Sequence, residues 1–227
     1  MDRWVCRREK RRLAIDQENH LGYRRFYNVM WYCFRQRGSI LSISNSSGAK
    51  SEQRKGKGSD RVVAVLERMG AERIYGVPGE EILDIMESLR KSKKIKFVPT
   101  RTEWGAALMA ATEGRLTGRP GVSLATCGPG ALNFPNGAEY AHLGGFPLVM
   151  IAGQKPINSS LHGHFQVSPL VSVMEGLTKY AVQIGSVQMI RPVFSEAFRI
   201  AQEEKQGPVS VVIPEDIAAE ECEEDEL

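Results

Sequence analysis

A parallel β-sheet covered by helices on both faces is the fold class this sequence predicts, and three observations predict it. Apolar stretches of strand length alternate with stretches of helical period from residue 59 to residue 214. Several of the strand stretches, above all "FPLVMIAG" (146–153), are apolar throughout, as strands buried on both faces must be. Glycine or proline punctuates most junctions.

The elements follow in order. "SDRVVAVLERMG" places apolar residues at 62, 63, 65, 66 and 69, with Ser59 or Asp60 as cap and Gly70 as stop, so a helix is expected there. "RIYGV" reads as a strand and Pro78-Gly79 as a turn. "EEILDIMESLRKSKK" reads as a helix with acids early and bases late, as the helix dipole favours. The strand "IKFVPT" leads to a helix over 102–117 stopped by Gly118 and Pro120, then to the strand "GVSLAT", the turn "CGPG" and a helix from about Ala131. After "FPLVMIAG", the helix "MIRPVFSEAFRIAQEE" precedes a last buried strand, "GPVSVVIP".

At 227 residues, 42% of them hydrophobic and 25% charged, the chain can bury one substantial core. Its net charge of +3 hides an asymmetry: residues 1–58 hold 14 Lys/Arg against 5 Asp/Glu, and the remainder holds 16 basic against 22 acidic residues. Three segments are therefore expected: a basic, disordered extension and linker (1–58), one folded domain (59–219) and an acidic tail (220–227). The arginines and aromatics of "GYRRFYNVMWYCFRQR" lack any nucleic-acid-binding pattern, which argues against a nucleic-acid partner. Asp2, Glu9, Asp16 and Glu18 are out of place in an organelle presequence. No window of about 18 apolar residues suggests a membrane span, and four scattered cysteines read as reduced thiols. A cytoplasmic location is expected, with an organelle as the alternative if residues 1–58 are a presequence.

In such sheets ligands bind outside the carboxyl ends of the strands. Glu103, the "CGPG" turn and "GQKP" (153–156) all follow strand ends, so three pieces point to one edge. An acid in the first turn of a helix is explained by the dipole alone, but Glu103 enters an alanine-rich turn and calls for a partner. "GPGALN" falls short of a dinucleotide fingerprint because Asn133 replaces the third glycine and no ribose-binding acid follows. There is no phosphate loop, HExxH or GxSxG, and the lone pair His162 and His164 is weak evidence for a metal.

Taken together, "VPGEEILDIMESL", "RTEWGAALMAATEGRLTGRPGVSLATCGPGALN" and "FPLVMIAGQKP" followed by "HFQ" resemble the N-terminal, pyrimidine-binding domain of thiamine-diphosphate-dependent enzymes, acetolactate synthases among them. The resemblance covers about residues 60–219 and implies a flavodoxin-like fold. It implies that Glu103 hydrogen-bonds N1′ of the cofactor's aminopyrimidine and favours its 4′-imino form, the catalytic role. It also implies cofactor contacts from Pro78, Gly79, Thr126, Gly128, Pro129, Gly130 and Asn133, and a substrate side formed by Gln154, Phe165 and Gln166.

The family holds the diphosphate and Mg²⁺ in a separate domain with a GDG sequence, and this chain contains no GDG. The implied cofactor is thiamine diphosphate with Mg²⁺ held elsewhere, and an FAD in the complete enzyme is left open. The implied partners are a diphosphate-binding domain or subunit, further copies of the chain, and a small 2-oxo acid. Thr102, where many relatives carry histidine, and Cys127, where serine is commoner, depart from the family. The expected activity is decarboxylation and carboligation of pyruvate to acetolactate; another 2-oxo acid decarboxylase of the superfamily, or an inactive binding module, is the alternative.

Overall fold

A computed structural model describes residues 55–158 and 165–223. His162, His164, the extension up to residue 54 and the last four residues lie outside them. In chain order the elements are β1 (Lys55–Lys57), α1 (Gly58–Arg68), β2 (Arg73–Gly76), a 3-10 turn (Glu80–Ile82), α2 (Leu83–Lys91), β3 (Lys96–Pro99), α3 (Glu103–Thr117), β4 (Gly121–Ala125), a second 3-10 turn (Ala131–Asn133) and α4 (Pro135–Gly144). Then come β5 (Leu148–Gln154), α5 (Leu170–Glu175), β6 (Tyr180–Gln183), α6 (Ile190–Gln202), β7 (Pro208–Pro214), α7 (Glu215–Ala219) and β8 (Glu221–Glu223).

Six strands form one parallel sheet in the order β3-β2-β4-β5-β7-β6. The expected flavodoxin-like arrangement, a parallel sheet with helices on both faces, is what the chain adopts. The last strand, β7, enters between β5 and β6, and composition explains why. "PVSVVIP" is buried at every position and belongs inside the sheet, whereas "YAVQ" is half-buried throughout and suits its edge. That short, mixed edge strand carries a weak sequence signal, and neither it nor α5 is legible beforehand.

Alternate residues of the central strands enter two cores. Val149, Ile151, Val209 and Val211 face α1, α2 and α6; Leu148, Met150 and Val212 face α3, α4 and α5. Helix α6 shows the packing logic plainly: Ile190, Val193, Phe194, Ala197, Phe198 and Ala201 form one stripe at helical spacing, all buried. Each large side chain there contributes about 1.5 to 3 kcal/mol by leaving water. Helix α3 works differently. Its buried stripe is Ala106, Ala107, Ala110, Ala111 and Gly114, so its backbone comes close to its neighbours; a Cβ on Gly137 of α4 would lie 2.3 Å from the Ala107 methyl.

Local signals set the helix ends. Thr102 caps α3 by accepting a hydrogen bond from the Gly105 amide at 3.2 Å, and Gly118 closes it in the left-handed conformation. Helix α1 starts at Gly58, with Lys57 at the cap, two or three residues earlier than a cap at Ser59 or Asp60 suggests. Asp60 acts from inside the first turn, accepting from the Lys57 amide at 3.0 Å, rather than as the cap itself. Outside the expected bounds of 59 and 219, Lys55–Lys57 pairs with Glu221–Glu223 as a two-stranded antiparallel ribbon. Lys57 thus stands opposite Glu221, an opposite-charge pairing that favours the register.

Candidate functional site

The strand order fixes where a ligand should go. From β2 the chain moves outward to β3, then returns to place β4 on the other side of β2. The direction of winding therefore reverses between β2 and β4, and a crevice opens beyond their carboxyl ends. Pro78 and Gly79 follow β2; Thr126, Gly128, Pro129, Gly130 and Asn133 follow β4.

Close approach explains the glycines of this crevice. A Cβ on Gly79 would stand 2.3 Å from the Thr126 Cβ, so the turn after β2 rests directly on the Thr126 side chain. A Cβ on Gly130 would stand 2.8 Å from the Thr126 methyl and 3.4 Å from Glu103 Oε1. Gly128 has φ of +52°, which side chains rarely adopt, and it also packs against the backbone of Gln166.

Glu103 occupies the first position of α3 and is half-buried. Its partner within the chain is Asn133, which sequence alone does not pair with it; the Asn133 side-chain amide donates to the carboxylate at 2.8 Å. Glu103, Gly130, Thr126, Gly79 and Asn133 thus form one continuous group. Pro129 is exposed at the rim.

The substrate-side residues divide. Gln166 takes a positive φ of 59° and seats over Gly128, with its side-chain oxygen 3.9 Å from the Cys127 thiol. Gln154 is buried, and its amide is used internally, donating to the Ser168 carbonyl at 3.1 Å and accepting from the Lys155 amide. It ties down the segment carrying Gln166 rather than presenting free polar atoms. Phe165 is 74% exposed.

Beneath this group lies a second carboxylate, Glu81, only 2% exposed. It accepts from the Thr126 hydroxyl and pairs with Lys155 Nζ at 2.5 Å. Burial pushes its acidity down, but the Lys155 ammonium and the Thr126 hydroxyl outweigh burial and hold the carboxyl at a lowered pKa of about 2. Burial, with the Glu81 charge adding to it, pushes the Cys127 thiol up to about 12, so this cysteine is an inert packing group. The pairing to Glu81 raises Lys155, which stays charged.

Glu81, Thr126 and Lys155 follow the ends of three strands that lie side by side, β2, β4 and β5. Sequence reasoning passed over Glu81 because an acid early in a helical stretch is explained by the dipole alone. Lys155 lies in the same strand-end segment as Gln154, and a lone lysine there carries no signal of its own. The available signal was an acid and a base each placed just beyond a strand end of a parallel sheet.

The chain spans about a quarter to a third of the length of the curated relatives it matches. The family model "Thiamine pyrophosphate enzyme, N-terminal TPP binding domain" matches residues 56–173. The chloroplastic acetolactate synthase of Arabidopsis thaliana is 38% identical over 161 residues, covering 71% of this chain and 24% of that protein. The acetolactate synthase isozyme 1 large subunit of Escherichia coli (strain K12) is 34% identical over 172 residues, 76% of this chain and 31% of that protein. The mitochondrial acetolactate synthase catalytic subunit of Saccharomyces cerevisiae is 35% identical over 155 residues, 68% of this chain and 23% of that protein.

Proposed function

We propose, from the premise that this chain belongs to the thiamine pyrophosphate enzymes through their N-terminal TPP binding domain, that it forms the pyrimidine-binding half of a 2-oxo acid decarboxylase and carboligase of the acetolactate synthase kind. The observation that carries this reading is the Glu103–Asn133 pair beside the bare backbone of Gly130.

These residues fit an aminopyrimidine. A Cβ at Gly130 would crowd the Thr126 methyl and approach Glu103 Oε1, and glycine keeps side-chain atoms away from that carboxylate. When bound, thiamine diphosphate supplies a carbanion-stabilising thiazolium that lets a 2-oxo acid lose carbon dioxide and pass on its acyl unit. Glu103 would hold the proton at N1′ of the pyrimidine, and Asn133 fixes the rotamer of that carboxylate. Thr126 and Gly79 form the wall behind the ring, Pro78 and Pro129 the rim. Gln166 and Phe165 would border the substrate, with Gln154 anchoring their segment.

Diphosphate and Mg²⁺ are assigned to a diphosphate-binding domain or subunit outside these 227 residues. Among the described residues no group of three or more His, Cys, Asp or Glu could hold a metal ion. Helices α3 and α4 leave Met109, Leu116, Tyr140 and Leu143 exposed, an apolar surface that suits such a partner. No described helix is long and apolar enough to cross a membrane, and the reading is of an enzyme working in the cytoplasm or an organelle matrix.

The test is to assemble the chain with a diphosphate-binding domain, thiamine diphosphate and Mg²⁺, and to analyse the products from pyruvate. Acetolactate is expected. Free acetaldehyde alone would move the protein to the simple decarboxylases, and absence of cofactor binding by the assembly would sink the reading.

A further inference from the structure

The Glu81 carboxylate is more deeply buried than Glu103, yet it has no part in the chemistry proposed above. A buried charge is costly unless something requires it, so its contacts show what it does. Its partners come from two strand ends: the Thr126 hydroxyl after β4 and the Lys155 ammonium after β5. The half-buried Thr126 side chain is crowded by two glycines. Gly79 rests on its Cβ and Gly130 on its methyl, at separations no additional atom could enter. A Cβ on Gly130 would stand 3.4 Å from Glu103 Oε1, and Asn133, three residues further along the same turn, holds Oε2.

The line from one carboxylate to the other runs through Thr126, Gly130 and the turn that carries Asn133. We propose that Glu81 is a positioning residue for Glu103: it fixes the rotamer of Thr126, Thr126 fixes Gly130, and Gly130 with its turn fixes the Glu103 carboxylate and its bond to Asn133. Lys155 neutralises the buried charge in this scheme. It is a poor site for a substrate anion, because Glu81 already pairs with it and Glu80 and Glu215 stand close enough to feel its charge. The inference rests on the proposed function only in treating Glu103 as the reacting acid; the mechanical linkage is a property of this chain alone.

A threonine suits the linking position because its two arms do different work. The hydroxyl answers Glu81 and the methyl supports Gly130, so each can be removed separately. Thr126→Val removes the hydroxyl and keeps the shape. Thr126→Ser keeps the hydroxyl and removes the methyl. Glu81→Gln combined with Lys155→Met keeps an acceptor for the hydroxyl while removing both charges, so no uncompensated ion is left buried.

The test uses the full chain labelled with ¹⁵N and follows the Asn133 side-chain amide, which reports directly on its bond to Glu103. Glu103→Ala marks where that resonance lies once the bond is lost. Thr126→Val and Thr126→Ser are each expected to shift it toward that mark, and the Glu81→Gln, Lys155→Met pair to leave it at the wild-type position. The proposal is overturned if the resonance stays at the wild-type position in a folded Thr126→Val or Thr126→Ser protein. It is equally overturned if the neutral pair shifts it as far as Glu103→Ala does. Thr126→Ser deletes one methyl group and keeps the arms informative should Thr126→Val fail to fold. Failure of the assembled protein to bind thiamine diphosphate would count against the functional reading and leave this spectroscopic result unaffected.

Discussion

Asn133 donates its side-chain amide to Glu103 at 2.8 Å, across thirty residues of sequence. The bond joins the first residue of α3 to the last residue of the 3-10 turn after β4, so the acid is held by two elements rather than by its own helix alone.

Replacing that acid by its amide tests the central role. Glu103→Gln in the complete assembly should lower carboligation by roughly 10²- to 10⁴-fold, the usual contribution of a positioned acid or base. Stability should fall by less than about 1 kcal/mol, the value of one charge at a helix N-terminus. Steady-state assays and a chemical melt check both, and a variant with unchanged turnover would remove Glu103 from the mechanism.

Glu81→Ala should behave in the opposite way and damage the fold. It leaves the Lys155 ammonium, 22% exposed, without its partner and the Thr126 hydroxyl without its acceptor. A loss of about 3 kcal/mol is expected, the low end for breaking a buried pair because Lys155 keeps some solvent. Urea titration of the isolated chain measures it.

Acid should act through the same carboxyl. Its folded-state pKa is lowered from 4.5 to about 2. The stabilisation is therefore complete above about pH 4.5 and is lost as pH falls toward 2. At about 1.4 kcal/mol per unit, it is worth up to ~3 kcal/mol. The wild type should lose this increment between those limits, and the Glu81→Gln, Lys155→Met variant should show a flatter acid limb; identical limbs would contradict the assignment.

Gly130→Ala should impair the crevice more than the fold. The new methyl would stand 2.8 Å from the Thr126 methyl and 3.4 Å from Glu103, and overpacking of this kind costs about 1 to 3 kcal/mol. Cofactor affinity of the assembly, measured by calorimetry, should drop by at least about tenfold, since 1.4 kcal/mol is one decade.

Leu143→Asp addresses the exposed face of α4. Leu143 is 68% exposed, so the melting of the isolated chain should change by no more than about 0.5 kcal/mol. Association with the partner domain should weaken markedly in sedimentation experiments, and full-strength association would place the interface elsewhere.

Much of this architecture was legible in the sequence for one physical reason: strands buried on both faces must be apolar throughout. "FPLVMIAG" and "PVSVVIP" announced the centre of the sheet in this way. Edge strands carry no such burden, and "YAVQ" stayed hidden because half-buried residues can be of any kind. Glu103 was conspicuous as an acid entering an alanine-rich helix. Asn133 was picked out as part of a glycine turn, although its direct bond to Glu103 depends on tertiary placement. Glu81 was masked by the dipole explanation, since an acid at that position reads alike whether it faces water or is enclosed by three strand ends.

The ribbon of Lys55–Lys57 with Glu221–Glu223 makes the folded unit a cassette. Entry and exit run side by side, so a host polypeptide can carry the unit as a plug-in with both connections at one point of its surface. Joining residue 223 to residue 55 by a short bridge and opening the chain at an exposed loop should yield a circular permutant with the Glu103 crevice intact. Whatever lengths of chain are attached at the two ends, they leave the unit as neighbours.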